Sequence, residues 1–412
     1  MPRLLAEIVA IGDEMISGAR LDTNTQWLSQ RLGDLGLDVV FHTTVGDELD
    51  RNIDAFRVAC QRADVVVATG GLGPTRDDLT RDAIAGALGV PLKMDEGSLQ
   101  HIETLFKARG RSMPPRNQIQ AMFPIGTRPI SNPQGTAPGI DAVLRRDDGT
   151  SSRIFALPGV PAEMKSMFHQ TVAPEIQSQS GDRTHLKHLV LKFFGVGESD
   201  MEQRLGDMIE RGKVPRVGIT VSSATISLRV TAVADSQAAC DEQLARARAD
   251  IMSRVGDLYF GEGESFEQYH AVDEQLQSRG HRLVLLELGH AAPLGDWMAS
   301  LGSTPSFVGG LSMANLTDVC QLMDSQSMQD CLLAIAQRFD SNWVLAVDAY
   351  PEIDHASDRP MPAAGVRFWV CDPNGQIHQR DTELGGHPSI VQARIGKAAL
   401  AYLRSQLTSF DA

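Results

Sequence analysis

The sequence lacks long apolar runs, and its few cysteines show no metal-binding spacing. No window reaches 18 uninterrupted apolar residues, so a transmembrane helix is not expected. The five cysteines are scattered and never spaced as CxxC, which indicates a reducing, cytoplasmic location without structural zinc. The first segment, MPRLLAEIVAIGDE, lacks the small-residue cleavage site of a secretory signal. Neither membrane attachment nor export is therefore predicted.

Positive charge is also scarce. The chain has 52 Asp and Glu residues against 38 Lys and Arg residues, which gives a formal net charge of −14. Binding to phosphate backbones or anionic membranes needs clustered cations. This charge balance therefore disfavours nucleic acid or a membrane surface as the main partner.

The length of 412 residues predicts two or three domains. Two polar, turn-rich segments are suitable boundaries, QSQSGDRT at 177–184 and GEGES at 261–265. They divide the chain into residues 1–176, 177–263 and 264–412.

The first domain alternates short apolar runs with amphipathic stretches. Residues 5–11, 39–45 and 64–69 are predicted strands, and residues 79–88 a helix with Asp78 as its N-cap. Repeated strand–helix units predict an α/β fold with a mostly parallel sheet covered on both faces. The middle segment is typical of a small α+β domain, and the last segment of another α/β domain.

The most informative segment is TGGLGPTRDDLT at residues 69–80. A buried strand leads into a glycine-rich turn whose backbone amides can face outward, and the free N–H groups of the following helix add a positive dipole end. This pattern predicts an anion site for phosphate, although a tight strand-to-helix turn is the plain alternative. The predicted phosphate-binding residues are Thr69, Gly70, Gly71, Gly73, Thr75 and Thr80.

Carboxylates surround this predicted anion site. Asp77 and Asp78 lie within the loop, while Asp13-Glu14 and Asp47 each follow a predicted strand, although each segment alone could be a polar turn. Carboxylates beside phosphates imply a divalent cation or proton transfer. The loop NPQGTAPG, at residues 132–139, is predicted to form a pocket wall through Asn132, Gly135 and Thr136.

Several segments occur in the order seen in the CinA family of competence/damage-inducible proteins. They include IGDEMISGARLDTNTQWL, TTVGDELDRNI, TGGLGPTRDDLTRDAI, NPQGTAPG and LPGVPAEMKSM, and together they span nearly all of residues 8–167. The glycine loop also resembles the molybdopterin-binding MoaB/MogA family. The segments FFGVGESDMEQRLGDMI and VGITVSSATISLRVTA resemble the KH-like middle domain of CinA, but no GxxG loop with basic neighbours is present, so RNA binding is not expected.

The resemblance implies a function. The first domain of CinA proteins is associated with hydrolysis of the pyrophosphate in ADP-ribose or related nucleotides, with a divalent metal (Mg, Mn or Co), in some cases potassium, and a homodimeric state. Metal ligands are then expected among Asp13, Glu14, Asp47 and Asp78, and catalytic carboxylates among Asp47, Asp77 and Asp78. Two alternatives stay open: a molybdopterin-binding or molybdenum-cofactor-related protein, and a non-catalytic nucleotide-binding assembly protein.

The last domain resembles a degenerate nicotinamide-mononucleotide deamidase of the PncC type. Leu288 stands where that family has its serine nucleophile, Ala314 where it has a tyrosine and Val319 where it has a lysine. These apolar side chains cannot supply a nucleophile and base. The interpretation is a domain without deamidase activity, with His290 and Asp348 as a less favoured base and its orienting partner.

Overall fold

The computed structural model describes residues 4–180, 185–210, 212–289, 292–348, 350–354, 356–357 and 359–410. The chain forms two compact units, one comprising Met1–Lys187 with Val233–Cys240, the other His188–Ala232 with Asp241–Ala412. Within the described ranges, no helix has the length and apolar character needed to span a bilayer.

The first unit is built on a six-stranded sheet. The strands of this unit are β1 Leu5–Ile11, β2 Asp38–Val45, β3 Val65–Thr69, β4 Leu92–Met94, β5 Met122–Pro124, β6 Arg128–Ile130, β7 Gly139–Arg145 and β8 Ser151–Leu157. The order in the large sheet is β2-β1-β3-β8-β7-β6, while β4 and β5 form a separate ribbon. Neighbours from β2 to β8 are parallel, and β7 and β6 are antiparallel additions. The predicted α/β fold with a mostly parallel sheet is confirmed.

Helices cover both faces of this sheet. They are α1 Asp13–Ile16, α2 Thr23–Asp34, α3 Leu49–Arg62, α4 Thr80–Leu88, α5 Glu96–Ala108, α6 Pro161–Met167 and α7 Ala173–Ser180, with a 3-10 helix at Pro115–Ala121 and a π-helical turn at Phe168–Val172. Side chains of β3 alternate between two apolar cores: Val65 and Val67 pack with α2 and α6, whereas Val66 and Ala68 pack with α3 and α4. Because strand side chains alternate in direction, a strand buried on both faces is apolar throughout.

A four-stranded sheet follows. Its strands are β9 His185–Phe193, β10 Arg216–Ser222, β11 Thr225–Ala234 and β12 Tyr259–Glu262, in the order β10-β11-β9-β12. The helices of this segment are α8 Glu198–Leu205 and α9 Gln237–Val255, with 3-10 helices at Gly206–Ile209 and Gly256–Leu258. The combination agrees with the small α+β domain that the sequence predicts.

The last segment carries a five-stranded sheet. Its strands are β13 Leu283–Leu288, β14 Phe307–Met313, β15 Trp343–Asp348, β16 Met361–Cys371 and β17 Ile377–Gly386, in the order β14-β13-β15-β16-β17. The helices are α10 Gln268–Arg279, α11 Pro293–Ala299, α12 Leu316–Met323, α13 Met328–Arg338 and α14 Pro388–Phe410.

A buried polar cluster joins these last two sheets within the second unit. The ammonium group of Lys397, on α14, lies 2.6 Å from the Thr225 hydroxyl and 2.9 Å from the Glu267 carboxylate. Burial lowers the pKa of Lys397, while Glu267 opposes that shift. The cluster helps to explain why the four- and five-stranded sheets belong to one compact unit.

Both predicted boundaries are partly structured. Residues 177–180 continue α7, and residues 181–184 lie outside the described ranges. Gly261 and Glu262 belong to β12 and pair with β9. Polar residues are compatible with an exposed helix end or an edge strand as well as with a linker. Each predicted domain contains one large sheet, yet the chain forms two units, and the three-domain division stays a prediction.

Candidate active site

Four parallel strands of the first unit end at the same edge of the sheet. Asp13 and Glu14 follow β1, Asp47 follows β2, the glycine loop follows β3 and a Pro-Gly turn follows β8. A cavity of about 550 Å³ opens there, lined by residues from each of these segments. This is the edge at which open α/β sheets bind ligands.

The glycine loop is fixed against the neighbouring strands. Gly70 and Gly71 have positive φ angles of 109° and 64°. A methyl group on Gly70 would overlap the carbonyl oxygen of Ile11, and one on Gly71 would overlap the Thr80 hydroxyl. The Gly70 amide donates to Leu157 on β8. Only glycine fits at these two positions.

Thr80 and Thr69 hold the loop in place. The Thr80 hydroxyl donates to the Gly70 carbonyl at 2.8 Å, and its side chain is fully buried. Its predicted role as a phosphate donor is wrong, because its single hydroxyl proton is already used within the fold. The Thr69 hydroxyl donates to the Pro158 carbonyl, although Thr69 also lines the cavity.

Asp78 organises the loop from within. Its carboxylate accepts hydrogen bonds from the amides of Gly73 and Thr75, each at 2.7 Å, and from the Thr75 hydroxyl. The predicted N-cap role of Asp78 is wrong: α4 begins at Thr80, Leu79 is its N-cap, and no side chain caps the helix. The carboxylate instead turns back into the loop, where it occupies two amides that the sequence assigned to phosphate.

Two amides of the loop keep the predicted capacity for an anion. Gly71 and Leu72 line the cavity, and their amides make no hydrogen bond within the described parts of the chain. Backbone amides without a partner favour an anionic oxygen.

Arg81 lies beneath the loop and was not predicted from the sequence. Its guanidinium donates to the carbonyls of Gly73, at 3.2 Å, and Leu72. Burial lowers its pKa to about 10, while Asp78 and Asp82 oppose the shift. Because the guanidinium binds two carbonyl oxygens, it helps to fix the conformation of the loop. An arginine in the first turn of a helix, where the dipole disfavours a cation, was the available signal.

The acids that follow β1 and β2 are joined by hydrogen bonds at the ends of these strands. The Asp13 amide donates to the Asp47 carboxylate at 3.1 Å, and the Asp47 amide donates to the Asp13 carboxylate at 3.0 Å. Burial raises the pKa of Asp47, and the charges of Asp13, Asp77 and Glu14 raise it further. The structure thus brings four of the predicted acids into electrostatic contact. Glu14, Asp47 and Asp77 line the cavity, whereas Asp13 supports them from behind.

Asp77 differs from Asp47 in its environment. The neighbouring Thr75 side chain and the charge of Arg116 lower the pKa of its exposed carboxylate, while the Thr75 hydroxyl proton is donated to Asp78. Among the described residues, no group of three or more His, Cys, Asp or Glu side chains has the arrangement of a complete metal site. Any cation there would need further ligands from substrate or water.

Asn132 shapes the predicted pocket loop from the protein interior. Its Oδ1 accepts from the amides of Gln134 and Gly135, and its Nδ2 donates to the Ala137 carbonyl and the Glu163 carboxylate. Thr136 lines the cavity, while Asn132 and Gly135 lie behind it. Asn132 and Gly135 are therefore framework residues of the wall.

The cavity is strongly acidic. Of its lining residues, one is a cation, Arg20, and six are carboxylates: Glu14, Asp22, Asp47, Asp77, Asp78 and Glu163. An anionic ligand would be repelled by this lining unless a cation accompanied it. Sequence reasoning missed Asn24 and Glu163, although both lie in segments that carry the family resemblance.

The predicted deamidase positions are occupied by apolar side chains. Leu288 ends β13, Val319 lies on α12, and both belong to one apolar core of the second unit. Ala314 follows β14 and is exposed. His290 lies outside the described residues, and Asp348 ends β15.

Relatives cover the whole chain. A putative competence-damage inducible protein of Levilactobacillus brevis is 34% identical over 419 residues, covering 98% of this chain and 99% of its own length. This chain belongs to the CinA family. A relative from Oceanobacillus iheyensis, described in the same words, is 38% identical over 288 residues, or 70% of this chain and 67% of that protein.

Two family models match different parts of this CinA-family chain. A probable molybdopterin binding domain matches residues 7–178, a range that contains every residue lining the cavity. The KH domain of damage-inducible protein CinA matches residues 188–261. A crystal structure of CinA, of unknown function, from Thermoplasma acidophilum is 35% identical, covers 42% of this chain and 98% of its own, and has a TM-score of 0.39.

Proposed function

We propose that the first unit hydrolyses the diphosphate of ADP-ribose or a related nucleotide, with the help of a divalent cation. One observation carries the proposal: Gly71 and Leu72, whose amides have no hydrogen-bond partner in the described parts of the chain, line a single cavity with Glu14, Asp47 and Asp77. Amides suit a phosphate oxygen, and carboxylates suit Mg²⁺, Mn²⁺ or Co²⁺.

The residues fit a cation that the substrate helps to coordinate. Mg²⁺ is usually held by one or two carboxylates together with substrate phosphates and water, which is compatible with the lack of a complete ligand set in the described residues. Burial, and then the negative charges of Asp13, Asp77 and Glu14, raise the pKa of Asp47, and a bound cation would favour its ionised form. A bound cation would neutralise the diphosphate and polarise the attacked phosphorus.

The side chains have separate tasks in this proposal. Glu14 and Asp47 hold the cation, the amides of Gly71 and Leu72 bind a phosphate oxygen, and Asp77 orients the attacking water. Water adds to one phosphorus and the bridging P–O bond breaks, so ADP-ribose yields AMP and ribose 5-phosphate. Asp78 keeps the loop in shape, although the sequence alone also suggested it as ligand or base.

The test is direct. Purified protein with ADP-ribose and Mg²⁺, Mn²⁺ or Co²⁺, with and without K⁺, should release AMP and ribose 5-phosphate, and EDTA should abolish the reaction. A product assay by chromatography measures both. If no product forms with any of these ions, the proposal is wrong.

The match to a probable molybdopterin binding domain favours a second candidate, binding of a pterin phosphate. The same amides would hold its single phosphate. Tight binding of the pterin phosphate, without cleavage of ADP-ribose, would support this candidate. Nucleotide binding without turnover would instead support an assembly role.

A further inference from the structure

The sheet order places Glu163 far from the cation-binding acids. Asp47 follows β2 and Glu163 lies on α6, which follows β8, and these strands are three positions apart in the sheet. With neighbouring strands about 4.8 Å apart, these two strands are separated by about 14 Å. The glycine loop after β3 lies between them, so Glu163 faces a different part of any ligand whose phosphates bind the loop.

The fold holds the Glu163 side chain in place, but only one of its two carboxylate oxygens makes a hydrogen bond within the described residues. Its Oε2 accepts from Nδ2 of the buried Asn132 at 2.7 Å. Its Oε1 makes no hydrogen bond, and the carboxylate has no ion pair, within the described part of the chain. A methyl group on Gly135 would overlap this carboxylate, so the wall packs directly against it. The wall thus holds a carboxylate oxygen in position to accept a hydrogen bond from a ligand.

Asn24 holds the neighbouring part of the wall in place. Its Nδ2 donates to the Thr69 hydroxyl and the Gly159 carbonyl, and both residues line the cavity with it. Its Oδ1 is inaccessible to solvent and has no hydrogen-bond partner among the described residues. Asn24 therefore positions the wall beside Glu163, whose carboxylate is the acceptor that lines the cavity.

We propose that Glu163 forms a subsite for the vicinal hydroxyls of the adenosine ribose, with Asn24 as a positioning residue in the wall beside it. This proposal rests on the proposed function. A carboxylate accepts hydrogen bonds from a ribose diol and repels a 2′-phosphate. Val160 and Pro161, which line the same end, offer an apolar surface to the base. The substrate class is therefore nucleotides with an unmodified ribose, and Glu163 is the residue that determines this specificity.

The test compares Glu163→Gln with the wild-type protein and with Glu96→Gln. Glu96 is an exposed carboxylate in the first turn of α5 and does not line the cavity, so it matches the chemical change. The kcat and KM values are measured for ADP-ribose, its 2′-deoxyadenosine and 2′-phosphoadenosine analogues, and IDP-ribose, which lacks the adenine amino group. The affinities of AMP, 2′-deoxy-AMP and IMP are measured by calorimetry in the presence of Mg²⁺.

The wild-type protein and Glu96→Gln should prefer the unmodified ribose by about 10- to 100-fold, the value of a hydrogen bond to a charged group. Glu163→Gln should raise KM for ADP-ribose more than it lowers kcat, and it should accept the 2′-phosphate better than the wild-type protein does. The subsite would be overturned if Glu163→Gln kept the wild-type preference for the unmodified ribose. It would also be overturned if the wild-type protein discriminated only against the inosine compounds and not against the ribose-modified ones. Absence of turnover would overturn the proposed function alone, because the calorimetric affinities still test the subsite.

Discussion

Asp47 lowers the stability of the folded protein at neutral pH, although it is one of the proposed cation ligands. Burial and the neighbouring charges of Asp13, Asp77 and Glu14 raise its pKa. The folded protein therefore favours the protonated form more than the unfolded chain does. Ionised Asp47 destabilises the fold at neutral pH, and this cost disappears as the pH falls through the raised pKa.

Substitution of this residue should separate stability from activity. We expect Asp47→Asn to lower kcat/KM for ADP-ribose by about 100-fold or more, because a cation ligand is lost. Without metal, the variant should melt at the same temperature as the wild-type protein or higher at neutral pH. Added Mg²⁺ or Mn²⁺ should raise the melting temperature of the wild-type protein only.

Asp54→Asn is the matched control, because Asp54 lies on the exposed surface of α3, outside the cavity. It should retain both the activity and the metal-dependent rise in melting temperature. A metal-dependent rise that persists in Asp47→Asn would remove this residue from the cation site.

At the scale of one element, the glycine loop owes its shape to contacts with three others. Gly70 packs on the end of β1, its amide bonds to β8, and Thr80 at the start of α4 bonds to its carbonyl. Arg81 then binds the carbonyls of Leu72 and Gly73 from below. The loop is thus a packed part of the core edge, and its free amides are fixed before any ligand arrives.

This packing predicts unequal costs for two glycine substitutions with positive φ. Gly70→Ala should lower the free energy of unfolding by more than about 2 kcal/mol, because its methyl group meets the Ile11 backbone. Gly149→Ala, in the open turn between β7 and β8, should cost only about 1 kcal/mol of backbone strain. Urea unfolding of the two variants measures the difference. Equal costs would contradict a tightly packed loop.

For the whole molecule, the first unit carries the proposed chemistry. The carboxyl-terminal sheet has Leu288 and Val319 in an apolar core where the resemblance places a nucleophile and a lysine. The nearby Glu287 is itself satisfied, because it accepts hydrogen bonds from the amides of Leu294 and Gly295 and from the Tyr350 hydroxyl. We infer a structural role for this region.

The 412-residue chain should therefore release no ammonia from nicotinamide mononucleotide. The reason is chemical: neither leucine nor valine can attack or activate the amide. Hydrolysis of ADP-ribose in the same preparation serves as the control for correct folding. Release of ammonia would show that other residues form a deamidase site. A homodimer and a cytoplasmic location stay predictions.

Much of the site could be predicted because the sequence patterns that indicate it involve residues close together along the chain. Alternating and helical periodicities identified the strands and helices of the first unit, and acids that follow β1 and β2 had to lie at one edge. The roles of Asp78 and Thr80 could not be predicted in this way. Two glycines with positive φ turn the loop back on itself, and only that turn brings the Asp78 carboxylate to the amides of Gly73 and Thr75.

The sequence by itself determined the α/β class, the glycine loop and which acids surround it, because periodicity and strand-end positions depend on neighbours along the chain. Only the tertiary structure decided the sheet order that separates Asp47 from Glu163, and the contacts that leave Gly71, Leu72 and Asn24 with unused polar atoms. The hydrogen-bond partners lie tens of residues apart in the sequence, and only tertiary packing brings them together.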